Sequence, residues 1–321
     1  MKKAAIKSID QYLKGSRINA FDVGAKGGVF ALKKIRPFVD YFGFEPNPDE
    51  FGKLDQAAHI QYFPFALGDQ NGVRNFNITR HPSYSSFLQL DDQNFEKHFG
   101  LMKDAHLWKA GMEIERTVPV DVRTIDHILE DYQIDRIDFL KLDTQGTELN
   151  ILEGAKTALH QKKIGVIYSE FSFIKTYKGQ NSFSELDQYL NRSGYECMDC
   201  RFYPEAVQKP GFRPFGKKIY DPSRFSIGGD AVFIPRTDQV DFDEKSRFKT
   251  GLILAQLGYL SVAKNLFAAS GLAEFEIQVL LKYFLPPVFR NWVIDLVPPL
   301  IYRCMKTMMK GFRKTRYLVF L

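Results

Sequence analysis

The chain has 321 residues, 45% of them apolar and 26% charged, which is enough to bury a full core and excludes a disordered polymer. Its length suits one large domain or one with an appendage. Three cysteines exclude a disulfide framework and favour a reducing, cytoplasmic compartment, while the net charge of +6 raises the question of an acidic partner.

The start, Met1-Lys2-Lys3, is basic but leads into no apolar segment and small-residue cleavage site, which argues against a secretory signal. From there, short β-rich runs alternate with helical patterns. Strands are predicted at 18–23, 38–44 and 60–66, with a helix at 47–58. The alternation is interrupted over 74–122, where strands at 73–79 and 115–122 flank a polar aromatic loop and one helix at 92–108. It resumes with a helix at 123–132, a strand at 137–142, a helix at 147–160 and a strand at 164–169. A helix at 182–193 and strands at 195–199 and 231–234 complete the series, with a Pro-, Gly- and Arg-rich loop at 203–227. Strands alternating with helices imply parallel strands with helices on both faces, closed here by an antiparallel strand at the end of the sheet. Beyond Pro235 the pattern is helical only, with an αα-hairpin over 247–259 and 261–269. The chain therefore divides into an α/β domain, 1–235, and a helical C-terminal extension, 236–321.

The first strand ends in Asp22-Val23-Gly24-Ala25-Lys26-Gly27-Gly28. Glycines there let a ligand approach the backbone, and open α/β sheets bind ligands beyond the carboxyl ends of their strands. The second strand ends in Phe44-Glu45-Pro46-Asn47, which suits a carboxylate accepting hydrogen bonds from ribose hydroxyls. A dinucleotide turn needs glycine where Lys26 stands. The acid Asp22 beside the turn would repel a pyrophosphate and attract a cationic amino group, so nicotinamide cofactors are disfavoured.

These blocks continue in order with Ala66-Leu67-Gly68-Asp69, Thr124-Ile125-Asp126, Phe139-Leu140-Lys141-Leu142-Asp143-Thr144-Gln145-Gly146-Thr147-Glu148, Leu152-Glu153-Gly154-Ala155 and Tyr168-Ser169-Glu170. The ordered series, over about residues 18–200, resembles the FkbM family of S-adenosylmethionine-dependent methyltransferases. The resemblance implies a Rossmann-like class I methyltransferase sheet. It implies that Asp22, Gly24, Ala25 and Gly28 cradle the methionyl part of S-adenosylmethionine. Glu45 would bind the ribose, with Pro46 and Asn47 near the adenine and Asp69 approaching the base. Lys26 stands where the family usually has Asn, and Gln145 where many members have Glu.

Methyl transfer to oxygen needs alignment and a group that takes the acceptor proton. Asp143 and Glu170, each at the end of a predicted strand, are the candidates, and His81 in the segment His81-Pro82-Ser83-Tyr84-Ser85-Ser86 is a third. That segment is similar to the family's serine-rich stretch, which makes Ser86 a cofactor contact. Asp143 reads equally as a helix cap. The expected acceptor is a small molecule or a glycan: a sugar hydroxyl of a surface glycan, its lipid-linked precursor, or a secondary metabolite. The alternative is a non-catalytic scaffold or membrane-binding protein that keeps the fold.

Cys197-Met198-Asp199-Cys200 has no second pair, and on a regular strand its sulfurs point to opposite faces, unsuited to one metal. Asp91, Asp92 and Glu96 form no ordered metal signature, so no metal is expected. Residues 282–321 hold eight basic residues and one acid, Asp295, so this segment is +7 and residues 1–281 are −1. Arg303, Lys306, Lys310, Arg313 and Lys314 recur at helical spacing beside Met305, Met308, Met309 and Phe312, the pattern of an interfacial amphipathic helix. The tail thus points to an anionic membrane surface, and so to a cytoplasmic protein peripheral on the inner face. The nearly neutral body offers no basic stripe for nucleic acid.

Overall fold

The computed structural model describes residues 2–28, 32–100, 104–203, 227–236 and 242–285. The loop expected at 203–227 and the tail beyond Leu285 therefore lie almost wholly outside the described residues.

Ten strands are described, β1 (Ile18–Val23), β2 (Val39–Phe44), β3 (Ile60–Phe63), β4 (Ala66–Leu67), β5 (Gly72–Thr79), β6 (Ile114–Arg123), β7 (Ile137–Leu142), β8 (Ile164–Ser172), β9 (Tyr195–Phe202) and β10 (Gly228–Pro235). Seven form one sheet in the order β3-β2-β1-β7-β8-β10-β9. The order reverses at β1, which lies between β2 and β7 and is parallel to both. That switch point opens a crevice at the carboxyl ends. β10 runs antiparallel to both neighbours, β8 and β9. The antiparallel strand is therefore not at the end of the sheet as expected. The hairpin partner β9 takes the edge, and β10 inserts between it and β8.

Side chains alternate across the strands, and each face carries its own core. Ala20, Phe139, Val166 and Val232 face one cluster, completed by Ala5, Ile9 and Leu13 of α1 (Lys2–Leu13) and Phe248 and Leu252 of α9 (Glu244–Gln256). Phe267 of α10 (Leu260–Ala269) and Leu280 of α11 (Glu274–Phe284) join the same cluster. Phe21, Leu140, Ile167 and Phe233 face the other, against α5 (Ile125–Asp131), α6 (Glu148–Glu153), α7 (Lys156–His160) and α8 (Phe183–Arg192). An ammonium from α9 fixes the first layer, as Lys249 Nζ lies 3.0 Å from the buried Asp138 carboxylate of β7.

Several helices are shorter than their sequence patterns suggest. The helix expected at 47–58 is only α2 (Pro48–Phe51), ending at Gly52. Beyond it, Gln56 exchanges side-chain hydrogen bonds with the Tyr62 backbone, 2.9 and 3.0 Å, and holds the chain extended beside β3. The helix expected at 147–160 is broken into α6 and α7 by Gly154, where a Cβ would lie 2.0 Å from the Gly68 carbonyl oxygen. The helix expected at 92–108 is two, α3 (Asp92–Phe99), capped at Gly100, and α4 (Ala105–Gly111). These two sit on the insertion whose strands, β5 and β6, pair with β4 as a second sheet in the order β4-β6-β5.

The edge strand carries one correction of consequence. Val232 pairs with Asp199 but Phe233 pairs with Cys197, so Met198 is the extra residue of a β-bulge. The bulge reverses the parity of the strand. Cys197 and Cys200 both turn toward the α8 side, with Sγ atoms 3.6 Å apart, rather than to opposite faces.

Candidate functional site

Four parallel strands of the sheet, β1, β2, β7 and β8, deliver residues to the crevice at or near their carboxyl ends. Asp22, the penultimate residue of β1, is 2% exposed, and the chain turns at Gly24. Gly24 has φ +84 and would place a Cβ 2.0 Å from the Asp143 carbonyl oxygen, so only glycine fits. Gly28, also at positive φ, packs its missing Cβ against the Tyr62 hydroxyl. Buried Ala25 donates its N–H to the Phe44 carbonyl at 3.1 Å, pinning the turn to the end of β2.

The Asp22 carboxylate accepts hydrogen bonds from Tyr41 Oη and, at 3.0 Å, from Lys141 Nζ. Lys141 reaches on to Asp143 at 3.4 Å, so one ammonium joins two carboxylates across β1 and β7. Burial alone would lower the Lys141 pKa, but the flanking Asp22 and Asp143 raise it above the ordinary lysine value and keep it charged. Tyr41 is pushed up by burial and by Asp22, and stays neutral as a donor. Neither Tyr41 nor the role of Lys141 was evident from sequence spacing. The signal was the β1–β2 register, since Tyr41 sits opposite Ala20, two pairs from Asp22 on the same face.

At the end of β2, Glu45 is buried, and its Oε1 accepts the Asn47 N–H at 2.9 Å. Burial pushes its carboxyl up to about 7, opposed by that hydrogen bond. Pro46 separates the two, and Asn47 caps α2 through Oδ1 to the Asp49 N–H, 3.1 Å. Among the described residues the buried Asn47 amide Nδ2 has no hydrogen-bond partner. An orphaned buried donor beside a strained carboxyl is costly unless a ligand completes it. Asp69, the residue expected to approach the base, pairs its carboxylate with Arg74 at 2.7 Å and lies near Glu153.

The carboxyl ends of β7 and β8 form the second half of the site. Gln145 sits at φ +58, an unusual conformation for a residue with a side chain. Its Nε2 donates to Glu170 at 2.9 Å and to Asp143 at 3.4 Å, while its Oε1 accepts from Tyr177 Oη at 3.2 Å. Glu148, at the start of α6, accepts from the Thr144 and Gly146 N–H groups and so shapes this loop. Tyr203 Oη lies 3.3 Å from Glu170 and 3.1 Å from Asp230 of β10, which also accepts from Tyr168 at 2.8 Å. Burial, then the charges of Asp143, Glu148 and Asp230, raises the Glu170 carboxyl well above the ordinary range. A cavity of about 60 Å³ opens onto Glu170, Gln145, Tyr177 and Tyr203, walled by Trp108 and Met112 of the insertion.

The insertion is tied across the crevice. Ser86, buried, donates to the Gln145 carbonyl at 3.0 Å, which places it on the β7–α6 loop. Lys26 of the glycine turn donates to Ser83 Oγ at 2.8 Å, and Arg116 of β6 pairs with Asp49 of α2. His81 is exposed and packs its ring on Tyr84 at 5.0 Å, with no contact to the Glu170 cavity. Asp22, Gly24, Ala25, Gly28, Glu45, Pro46 and Asn47 thus line one end of the crevice, and Asp143, Glu170 and Ser86 the other. Asp91 caps α3 while Asp92 and Glu96 pair with Lys109. Among the described residues no group of three His, Cys, Asp or Glu is arranged to hold a metal ion.

Comparison with known proteins adds three findings. Residues 22–197 match the family model of the methyltransferase FkbM domain. The 2-O-methyltransferase NoeI of Sinorhizobium fredii (strain NBRC 101917 / NGR234) is 26% identical over 168 residues, covering 50% of this chain. The chain spans 65% of that relative's length. The crystal structure of magnesium protoporphyrin IX methyltransferase (ChlM) from Synechocystis PCC 6803 with bound SAM superposes with a TM-score of 0.31 at 7% identity, over 73% of this chain and 79% of that one.

Proposed function

The chain belongs to the methyltransferase FkbM domain family, whose cofactor is S-adenosylmethionine, and on that premise we propose that it transfers a methyl group to a sugar hydroxyl. The observation that carries this reading is one crevice with two chemically distinct ends joined through Asp143. At the first end, the residues fit the cofactor. Among the described residues Asn47 Nδ2 lacks a partner, Glu45 has a carboxylate oxygen left for ribose hydroxyls, and Asp22 with Gly24 and Gly28 admits the methionyl part. Bound there, the cofactor supplies an electrophilic methyl group.

The second end is built for a neutral polyhydroxylated acceptor. Trp108, Tyr177 and Tyr203 offer ring faces and hydroxyls, and Gln145 and Glu170 offer hydrogen-bonding groups. Glu170 takes the proton of the acceptor hydroxyl as the oxygen forms its new bond to carbon. The Gln145 Nε2 donor at 2.9 Å favours the carboxylate form that this task requires. Gln145 holds the base in place and Asp143 orients the acceptor. The name of the bacterial relative, a 2-O-methyltransferase, supports oxygen as the target. The basic segment after Leu285 would hold the enzyme at an anionic membrane surface, where a lipid-linked glycan precursor is presented.

Incubation of the full chain with radiolabelled S-adenosylmethionine and fractionated cell envelope is expected to label a glycan in an alkali-stable ether linkage. Calorimetry showing no affinity for S-adenosylmethionine or S-adenosylhomocysteine would overturn the reading. Affinity without turnover on any glycan or metabolite fraction would favour the scaffold.

A further inference from the structure

The cysteine pair on β9 has no part in methyl transfer, yet the bulge at Met198 brings it together. Cys197 and Cys200 turn to the same side of the strand, half-buried against the α8 layer, with Sγ atoms 3.6 Å apart. On an unbulged strand two residues three apart would face away from each other. The strand's register is therefore what creates a dithiol. β9 is the edge of the sheet and pairs only with β10 among the described strands, so one side of it is free to adjust.

We propose that Cys197 and Cys200 form a reversible redox modification site, a dithiol that closes to an intrachain disulfide with a low-molecular-weight disulfide as oxidant. Closure brings the sulfurs from 3.6 Å to a bonded distance of about 2.0 Å. Cys200 loses its proton and its thiolate attacks one sulfur of the oxidant, forming a mixed disulfide and releasing one small thiol. Cys197 then loses its proton, attacks Cys200 Sγ and releases the second small thiol. Two cysteine thiols are oxidised, one disulfide is reduced, and both protons end on the released thiols.

The order follows from the surroundings. Burial raises both thiols, the Asp187 carboxylate opposes thiolate formation at each, and the Asp199 carboxylate opposes it at Cys200. The contact between the sulfurs raises Cys197, which is pushed up to about 12, but lowers Cys200. Cys200 is thus the attacking thiol and Cys197 the resolving one. The site belongs to slow, equilibrium oxidation rather than to fast redox catalysis.

The test uses the full chain with Cys304→Ser, which removes the remaining cysteine, equilibrated in glutathione buffers of stepped redox potential, then alkylated and weighed. At oxidising poise both alkylatable thiols are expected to disappear together, leaving a monomer lighter by two hydrogen atoms and restored by dithiothreitol. Cys197→Ser is expected to stop at a glutathione adduct on Cys200. Retention of both thiols across the series, adducts on each cysteine without loss of hydrogens, or only intermolecular disulfides would overturn the proposal.

Discussion

At the scale of single residues the crevice is governed by carboxyl groups whose proton affinities differ because their surroundings differ. Glu45 and Glu170 are both raised by burial, but the Asn47 N–H opposes the shift at Glu45, where Glu50 and Asp22 add to it, while Asp143, Glu148 and Asp230 add to it at Glu170. Ribose hydroxyls donate to an ionised carboxylate more strongly than to a protonated one. A Glu45 carboxyl at about 7 must therefore release its proton for the tightest binding, so affinity should rise with pH rather than fall. S-adenosylhomocysteine affinity, followed by calorimetry, is expected to increase by up to about tenfold per pH unit below that value and to level off above it. Glu45→Gln should flatten the profile and weaken binding at high pH; an unchanged slope would remove Glu45 from the ribose site. At the other end, Glu170→Gln removes the proton acceptor but keeps the hydrogen bond to Gln145. Turnover should fall by roughly 10²–10⁴-fold with cofactor affinity little altered. A kcat within a few-fold of wild type would reassign the base to Asp143. His81→Ala, on the exposed loop against Tyr84, is expected to leave kcat nearly unchanged.

Elements explain why part of this site could be read from the chain and part could not. The strand ends were legible because β1 and β7 are largely buried, read as short runs rich in apolar residues, and lead into the glycine turn after Val23 and into Asp143. The glycine turn was legible because glycines cluster where the backbone needs positive φ. What stayed hidden depends on partners distant in sequence. Tyr41 and Lys141 meet at Asp22 only through parallel pairing, and Tyr203 and Asp230 reach Glu170 only because β10 inserts beside β8. The bulge at Met198 leaves no mark in composition, and it alone reversed the reading of the cysteines. The glycine turn offers a measurement of how tightly such an element is specified. Gly15 and Gly24 share similar positive φ values, +80 and +84, but a Cβ meets nothing within 4 Å at Gly15 and the Asp143 carbonyl at Gly24. Gly15→Ala should therefore cost only the backbone strain, about 1 kcal/mol, whereas Gly24→Ala adds a backbone clash and should cost about 3 kcal/mol. Urea denaturation of both variants separates the two contributions, and equal losses would mean that the close approach at Asp143 relaxes freely.

For the whole molecule, the distribution of charge matters more than its total. Residues 1–285 carry 37 basic and 37 acidic side chains, and all the excess, +6, falls after Leu285. The helices before that point are structural: α9, α10 and α11 bury Phe248, Phe267 and Leu280 in the same core as α1 and the sheet. A cut after Leu285 keeps all three of these helices, while a cut before α11 would remove Leu280 from this core. Among the described residues no helix is long and apolar enough to cross a membrane. Each basic residue near an anionic bilayer contributes about 1 kcal/mol, and the attraction decays within a Debye length, ~10 Å at 0.1 M salt. A chain ending at Leu285 is expected to keep its cofactor affinity and its unfolding midpoint but to lose sedimentation with phosphatidylserine vesicles. The full chain should sediment at low salt and be released progressively as salt rises. With uncharged phosphatidylcholine vesicles neither form should sediment strongly, because electrostatics sets the first encounter and the apolar stripe of Met305, Met308, Met309 and Phe312 only deepens it. If the truncated chain sediments with anionic vesicles as well as the full one, the neutral α/β body carries the membrane contact and the tail needs another role.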